Sequence, residues 1–442
     1  MDVRLASLSE RLRNSLFFIP MAWVVAAVLL GVLAVELDQQ LVAGTAELPF
    51  GLSSTVDSAR AILGTVASAT ITFAGIAFSI SLLVIQLASS QYSPRVVHGL
   101  LRDPFTKQVM GVVIGTFTYC LVVLRAVRGP LEDDGTPVIP SISVGFALLF
   151  GVISILAIVA FINHSAHSMD VSRILARATS DGIAAAKDLW ADEPQTGSDP
   201  EQVPEAPDDH LLVTHGSDGW VRDIDFRGLA ASGPPGGTVR AEIEVGRYAV
   251  AGTPLCRIWP RPDDEDESCR RARRAVITGD SRTVEQDVGY AIRQLADVAL
   301  RALSPGINDP TTAQDAIFHL GSVLRELLAL HPPRLATPTE EDRLLLRPER
   351  LGHQDLIEVA FDEVRLAAVG MPTVCIYLLE VLHLLEEAVV GTQGQGPIGD
   401  VLRTQAALIR AGVDHADLGS HDADRIRDAH DRRFGPPVER TS

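Results

Sequence analysis

The chain is predicted to be mainly α: a four-helix transmembrane domain, then a cytoplasmic region holding a small barrel-sandwich-like β module and an α-helical bundle. Three observations predict this. Residues 61–94 run without a charge. Three further apolar runs, roughly Leu16 to Leu37, Val109 to Val127 and Ile139 to Ile162, each approach the ~20 residues needed to span a bilayer. Beyond residue 209, short β-prone strings give way to long stretches with apolar residues at helical spacing.

The first run is longer than the apolar core of about 7–15 residues typical of a signal peptide, which favours a retained span over the competing cleaved leader. The second is the most informative. One face reads Thr65, Ser68, Thr72, Gly75, Ser79, Leu82, Gln86 and Ser89, and another reads Ile62, Val66, Ala69, Phe73, Ile76, Ile80, Leu83 and Leu87. The greasy row suits lipid and the small polar row suits protein or water. A helix of this length measures about 50 Å at 1.5 Å per residue, more than the hydrocarbon core, so it tilts or projects. Small residues at this spacing let helices pack closely, as do Gly111 and Gly115 in the third run. If copies assemble with the row inward, Thr65, Ser68, Thr72, Gly75, Ser79 and Gln86 would line a path without a charged ring.

Backbone groups in lipid must be satisfied internally, and long apolar runs without strict alternation select helices over a barrel. Basic residues near the spans (Arg4, Arg11, Arg13; Arg95, Arg102, Lys107; Arg173, Arg177, Lys187) place both termini in the cytoplasm of a bacterial inner membrane. The segment from Asp38 to Ala59 has no basic residue, whereas Arg125 and Arg128 are a local exception followed by Glu132, Asp133 and Asp134. The formal net charge of −18 repels nucleic acid and anionic lipid, so no nucleic-acid partner is expected. The expected partners are the bilayer and further copies of the chain, with the ion or solute unknown. Cys120, Cys256, Cys269 and Cys375 form no CxxC pair.

The domain reading is 1–170 for the spans, 171–209 for a helix and an acidic Pro-rich linker, 210–262 for the β module, 263–413 for the helical domain and 414–442 for a charged, loosely ordered tail. Strands are expected near Leu211–Thr214, Trp220–Ile224, Val239–Ile243 and Leu255–Trp259. The string 245–255, VGRYAVAGTPL, is similar to the hairpin of biotinyl and lipoyl-type modules but has no lysine to carry a cofactor. The only lysines are Lys107 and Lys187, and the GxxxxGK[ST] loop is missing, so Schiff-base, carrier and P-loop chemistry are excluded from the C-terminal region. The run 263–267, DDEDE, precedes Arg270, Arg271, Arg273 and Arg274 and is expected to be a solvated connector with local pairing.

Thr283 to Leu303 is expected to be an amphipathic helix with a capping-box-like Thr283 and Gln286, and with Asp287, Arg293, Gln294, Asp297 and Arg301 along it. Asp297 and Arg301 have i, i+4 spacing. Then come Ser304, Pro305, Gly306, Ile307, Asn308, Asp309, Pro310, Thr311 and Thr312. Pro305 and Gly306 stop one helix, and Asp309 and Pro310 start the next. A helix start with free amides can bind an anion, although Asp309 would occupy those amides itself and repel a phosphate. Further helices are expected over Pro310–Leu330, Asp355–Ala368, Pro372–Val390 and Val401–Ala411.

The strings EQDVGYAIRQLADVALRALSPGINDPTTA, ASSQYSPRVVHGLLRD and GTFTYCLVVLRA resemble a family of bacterial membrane proteins catalogued as domain of unknown function 2254. The resemblance covers nearly the whole chain. It implies four spans and a cytoplasmic C-terminal region, and no activity. Asn163-His164 stands where the family pattern has His-His, which weakens a metal reading of His164, His167 and Asp170. His415, His421 and His430 also lack established ligand spacing, and neither a GxSxG string nor a Ser-His-Asp set is present. No cofactor, metal or catalytic residue is assigned. The functional expectation is an oligomeric channel-like protein passing a small ion or solute, or alternatively a membrane-anchored scaffold or sensor.

Overall fold

The structure, a computed structural model, describes residues 18–42, 55–91, 103–127, 140–168, 170–190, 203–393 and 396–435. Arg4, Arg11, Arg13, Arg95, Arg102, Arg128, Glu132, Asp133 and Asp134, on which the orientation partly rests, lie outside these residues, as does most of the linker. Two compact units are present, Met1–Asp170 and Val171–Ser442.

In the first unit, helices α1 (Phe18–Val42), α2 (Val56–Gln91), α3 (Pro104–Ala126) and α4 (Ser141–Ser168) are long and apolar enough to cross a membrane. Helix α3 is central and packs against the other three. Its glycines make this possible: a Cβ on Gly111 would collide with the Trp23 ring of α1, and Gly115 lies beside the Trp23 backbone. On α1, Gly31 gives the same close approach to Val122. Small residues at helix crossings replace the hydrophobic drive that lipid removes.

The spans are longer than the apolar runs, because charged residues at their ends are folded into them. Asp38 lies inside α1, is buried, and caps α4 from a neighbouring helix. It accepts from the amides of Ile142 (3.0 Å) and Ser143 (2.9 Å) and from the Ser143 hydroxyl (2.6 Å). The Tyr119 hydroxyl donates to the Ser143 carbonyl at 3.1 Å. Lys107, expected in a loop, is a buried residue of α3. Asp103 caps α3 through the amides of Phe105 and Thr106, and it meets His164 Nε2 of α4 at 2.8 Å.

The second unit opens with α5 (Val171–Leu189). Strands β1 (Leu211–Thr214), β2 (Gly219–Ile224), β3 (Thr238–Ala241), β4 (Tyr248–Ala249) and β5 (Pro254–Trp259) follow, with the short helix α6 (Phe226–Ala230) between β2 and β3. The acidic run and its arginines form α7 (Glu265–Arg274), with the local pairing expected of them. Asp264 caps it, Glu267 takes both Arg270 and Arg271, and Ala272 is fully buried. Three strands come from outside residues 210–262: β6 (Val276–Gly279), β7 (Ala336–Pro338) and β8 (Leu344–Leu346). The sheets run β1-β5-β3-β8-β7 and β4-β2-β6. All pairings are antiparallel except β3 with β8. Because β4 pairs with β2 while β5 pairs with β1 and β3, the 245–255 string connects the two sheets.

Helices α8 (Val288–Leu303), α9 (Pro310–Leu328), α10 (His353–Ala368), α11 (Pro372–Gln393), α12 (Pro397–Asp414) and α13 (Ser420–Phe434) complete the unit. The pairs α8 with α9 and α8 with α10 pack closely, and α5 lies against α8 and α9, where Gly182 approaches Ala291. The tail is not loose up to residue 435. Ala423, Ile426 and Ala429 form a narrow apolar line that buries α13 against α11 and α12, and Arg427 ties its charged face to Asp414 and Asp424.

Gly111→Val is expected to lower unfolding stability by about 1–3 kcal/mol through overpacking against Trp23, measured as the denaturation midpoint of purified protein in detergent. Asp38→Ala leaves buried amides of α4 unpaired and is expected to cost about 1–3 kcal/mol in the same assay.

Candidate functional site

Helix α8 does not begin at Thr283. Asp287 caps it, accepting from the Tyr290 amide at 2.8 Å, while the Gln286 side chain accepts from the Ile224 amide of β2. Thr283 and Gln286 match capping-box spacing, but Asp287 wins because Arg282 fixes its carboxylate with two hydrogen bonds of 2.8 and 2.9 Å. The Arg282 guanidinium in turn lies 4.9 Å from the Tyr290 ring centre. Burial pushes the Asp287 carboxyl above the usual carboxylate range, with the Arg282 charge and hydrogen bonds pulling against it. Gly246, at φ 83°, closes over this pair, and a Cβ there would strike both Asp287 and Arg282.

A second buried pair stands beside the first. Arg347, just after β8, donates to both oxygens of Glu244 at 2.8 and 3.2 Å and lays its guanidinium 3.7 Å from the Phe226 ring centre. Asp287, Glu244 and Arg347 border a cleft of about 220 Å³, whose other walls include Trp190, Gln286, Arg350 and Leu351. The Trp190 ring is held edge-on by His353, 5.0 Å away. Sequence reasoning missed Glu244, Arg282, Arg347 and this cleft. The available signal was a glutamate embedded in the apolar, glycine-bearing string AEIEVGRY.

Of the signature-helix residues, Arg293 bonds Asp297 (2.9 Å) and, in two-pronged fashion, Glu363 of α10 (2.6 and 2.9 Å). Asp297 thus reaches back to Arg293 in addition to having the spacing for Arg301. Gln294 is half-buried on the same helix.

The loop between α8 and α9 closes on itself. The Ser304 hydroxyl donates to the Arg301 carbonyl, the amides of Ile307 and Asn308 donate to the Ser304 carbonyl, and the Asp309 amide donates to Ala302. Asn308 takes φ 51°, a left-handed conformation that asparagine tolerates better than most residues. Asp309 accepts from the Thr312 amide (3.1 Å) and hydroxyl (2.6 Å), so the first turn of α9 is already filled by the chain's own carboxylate. Those bonds, the hydroxyl's first, hold the Asp309 carboxyl below its usual range. Pro305, Gly306, Pro310 and Thr311 are exposed.

In the first unit, Thr65, Ser68, Thr72, Gly75, Ser79 and Gln86 are all exposed. The packed side of α2 is a third line, Ala59, Leu63, Ala67, Thr70 and Ala77, opposite the stripe at ~100° per residue. Ile62, Val66, Phe73 and Ile80 of the row assigned to lipid flank this packed side and are partly buried, whereas Ala69, Ile76 and Leu83 of the same row are exposed. The hydroxyls of Thr65, Thr72 and Ser79 donate to the carbonyls four residues back. The Ser89 side chain lies outside the described residues.

Neither histidine group gathers its members. His164 pairs with Asp103, His167 with the Asn163 carbonyl, His415 with the Ala411 carbonyl and His430 with Asp431. Burial pushes the Cys375 thiol up to about 11 and the Cys256 thiol further, leaving both as packing groups at neutral pH.

Four helices apolar enough to cross a membrane, followed by a large C-terminal unit of mixed sheets and helices, define a multi-span membrane protein. Residues 13–383 match the family described as "Predicted membrane protein (DUF2254)", and the chain belongs to that family. Similar relatives are uncharacterized proteins of Mycobacterium bovis and of Mycobacterium tuberculosis strains CDC 1551 and H37Rv. Each is 28% identical over 360 residues, covering 80% of this chain and 68% of the relative. No solved structure matches the chain.

Because the Asp309 carboxyl is held low, the stability it contributes is complete above about pH 4 and is lost as pH falls through its lowered value. Asp309→Ala is expected to cost about 1 kcal/mol at pH 7, and the gap from the native chain should close in acid, as followed by unfolding midpoints across pH.

Proposed function

We propose that the protein is an oligomeric, channel-like protein of the bacterial plasma (inner) membrane. It passes a small ion or solute, and its C-terminal unit lies on the cytoplasmic side, where it assembles or gates the path. The observation that carries this reading is the uncovered side of α2. The first unit buries the opposite side of that helix and leaves Thr65, Ser68, Thr72, Gly75, Ser79 and Gln86 facing outward. Polar groups facing outward at membrane depth favour meeting another polar surface over hydrocarbon, and copies of the same helix supply one. The described core of the first unit has clusters of Ala, Val, Leu, Ile and aromatic side chains, and its buried Asp38, Ser143, Thr116 and Ser154 are bonded to one another in pairs, which favours a path between copies over one through a single copy. Within the C-terminal unit, the β region is read as a barrel-sandwich-like structural or docking module and the surrounding helices as a bundle.

A membrane-anchored scaffold or sensor is the second reading. It is favoured by the bonds of Thr65, Thr72 and Ser79 to their own helix, which let those hydroxyls face a packed neighbour without water. Single-channel recording in a planar bilayer separates the two. The native chain is expected to give discrete currents that Thr72→Leu and Ser79→Leu alter in amplitude. A correctly assembled but silent protein would leave the scaffold reading in its place.

A further inference from the structure

We propose that α13 is a releasable strap: charge pairs hold it across α11 and α12 at low ionic strength, and it lifts and melts as ionic strength rises. The proposal is independent of whether the spans conduct. It stands on how little else holds the helix down.

Of the 15 residues of α13, only Ala423, Ile426 and Ala429 are buried, and two of these are alanines. So narrow an apolar line offsets little of the entropy lost in ordering the helix. The ends add nothing from side chains, since Gly419 precedes the helix without a side-chain cap and Gly435 follows it. A helix of this length is marginal by itself in water, so lifting it melts it.

The remaining ties are ionic and within reach of water. Asp431 meets Arg410 of α12 at 2.8 Å, Arg427 meets Asp414 at the end of α12 at 2.7 Å, and Arg433 meets Glu380 of α11 at 3.7 Å. In the first two pairs every side chain is at least 39% exposed. Hydrogen bonds from Arg427 and from His430 hold the Asp414 and Asp431 carboxyls, respectively, below the usual carboxylate range, so both are charged at neutral pH. Salt acts directly on such pairs, because the screening length falls from about 10 Å at 0.1 M to about 3 Å at 1 M.

The strap also covers a group that water would serve better. Phe434, the last residue of α13, sets its ring edge-on to that of His383 on α11, 5.7 Å away. The His383 Nε2 lies 3.5 Å from Glu387, but Nδ1 is buried and has no hydrogen-bond partner among the described residues. An unpaired buried nitrogen disfavours the docked state, and lifting α13 opens it to water. A thin apolar line, screened pairs and an orphaned nitrogen leave the docked and lifted states close in free energy, which is the condition for a switch.

Hydrogen–deuterium exchange of the full chain in detergent, at about 0.05 M and about 1 M NaCl, tests this. Peptides covering 420–434 are expected to exchange about tenfold faster at the higher salt, with those of α8 and α9 unchanged. Combining Asp414→Asn with Asp431→Asn is expected to give the fast exchange already at low salt and to remove most of the salt response. His383→Phe keeps a ring beneath Phe434 and removes the orphaned nitrogen, and it is expected to slow exchange at both salt concentrations. Equal exchange of 420–434 at the two concentrations would overturn the strap, as would acceleration of α8 and α9 alongside it, since the whole unit would then be loosening. A double variant with the native salt response would overturn the charge pairs as the hold, and exchange unmoved by His383→Phe would overturn the part given to that nitrogen.

Discussion

A helix that begins inside a protein leaves backbone amides without a partner, and in this chain aspartate carboxylates meet that demand in both units. Asp103, Asp225, Asp264, Asp287 and Asp309 each cap the helix that follows them. Asp38 does the same for α4 from across the first unit, where the Ser143 end is fully buried and water cannot substitute. Two of these caps have a second task. Asp103 holds His164 and so joins the start of α3 to α4, and Asp287 holds Arg282 and so joins the start of α8 to the turn at Gly246. The positions of the helices rest on these few charged groups, because a negative charge at a helix start also complements the dipole.

Much of this was legible in the sequence. Long apolar runs gave the four spans, and Pro310 after Asp309 gave the start of α9, since both signals are local and each has one physical meaning. The ends of the spans were not legible, because Asp38 and Lys107 look like loop residues until a helix from elsewhere supplies their surroundings. The capping residue of α8 was misread for a related reason. Thr283 and Gln286 satisfy a spacing rule, whereas Arg282, adjacent in sequence to Thr283, folds forward onto Asp287 and decides the matter. The strands β7 and β8 were hidden because three-residue strands carry too little pattern to be distinguished from turns.

The second span shows a different limit. Its sequence correctly displays unlike faces, but periodicity alone does not say which face meets protein. The helix chose a third side, built on Ala59, Leu63, Ala67, Thr70 and Ala77, whose small residues permit closer contact than either of the more conspicuous rows. The cleft was illegible for a similar reason. Its groups come from α5, the β3–β4 turn, the start of α8 and the segment after β8, and only the fold brings them together.

The parallel pairing of β3 with β8 bears on how the chain reaches this state. Thr238–Arg240 pair with Leu344–Leu346, about a hundred residues later, and α7, α8 and α9 are all threaded between them. During synthesis at roughly 5–20 residues per second, one edge of β3 remains open for about 5–20 s after it emerges. The middle of the five-stranded sheet is therefore finished from the far side, after the central helices exist. Its assembly has the long sequence separation that makes folding slow, and for that interval β3 is the strand most exposed to pairing with the wrong neighbour.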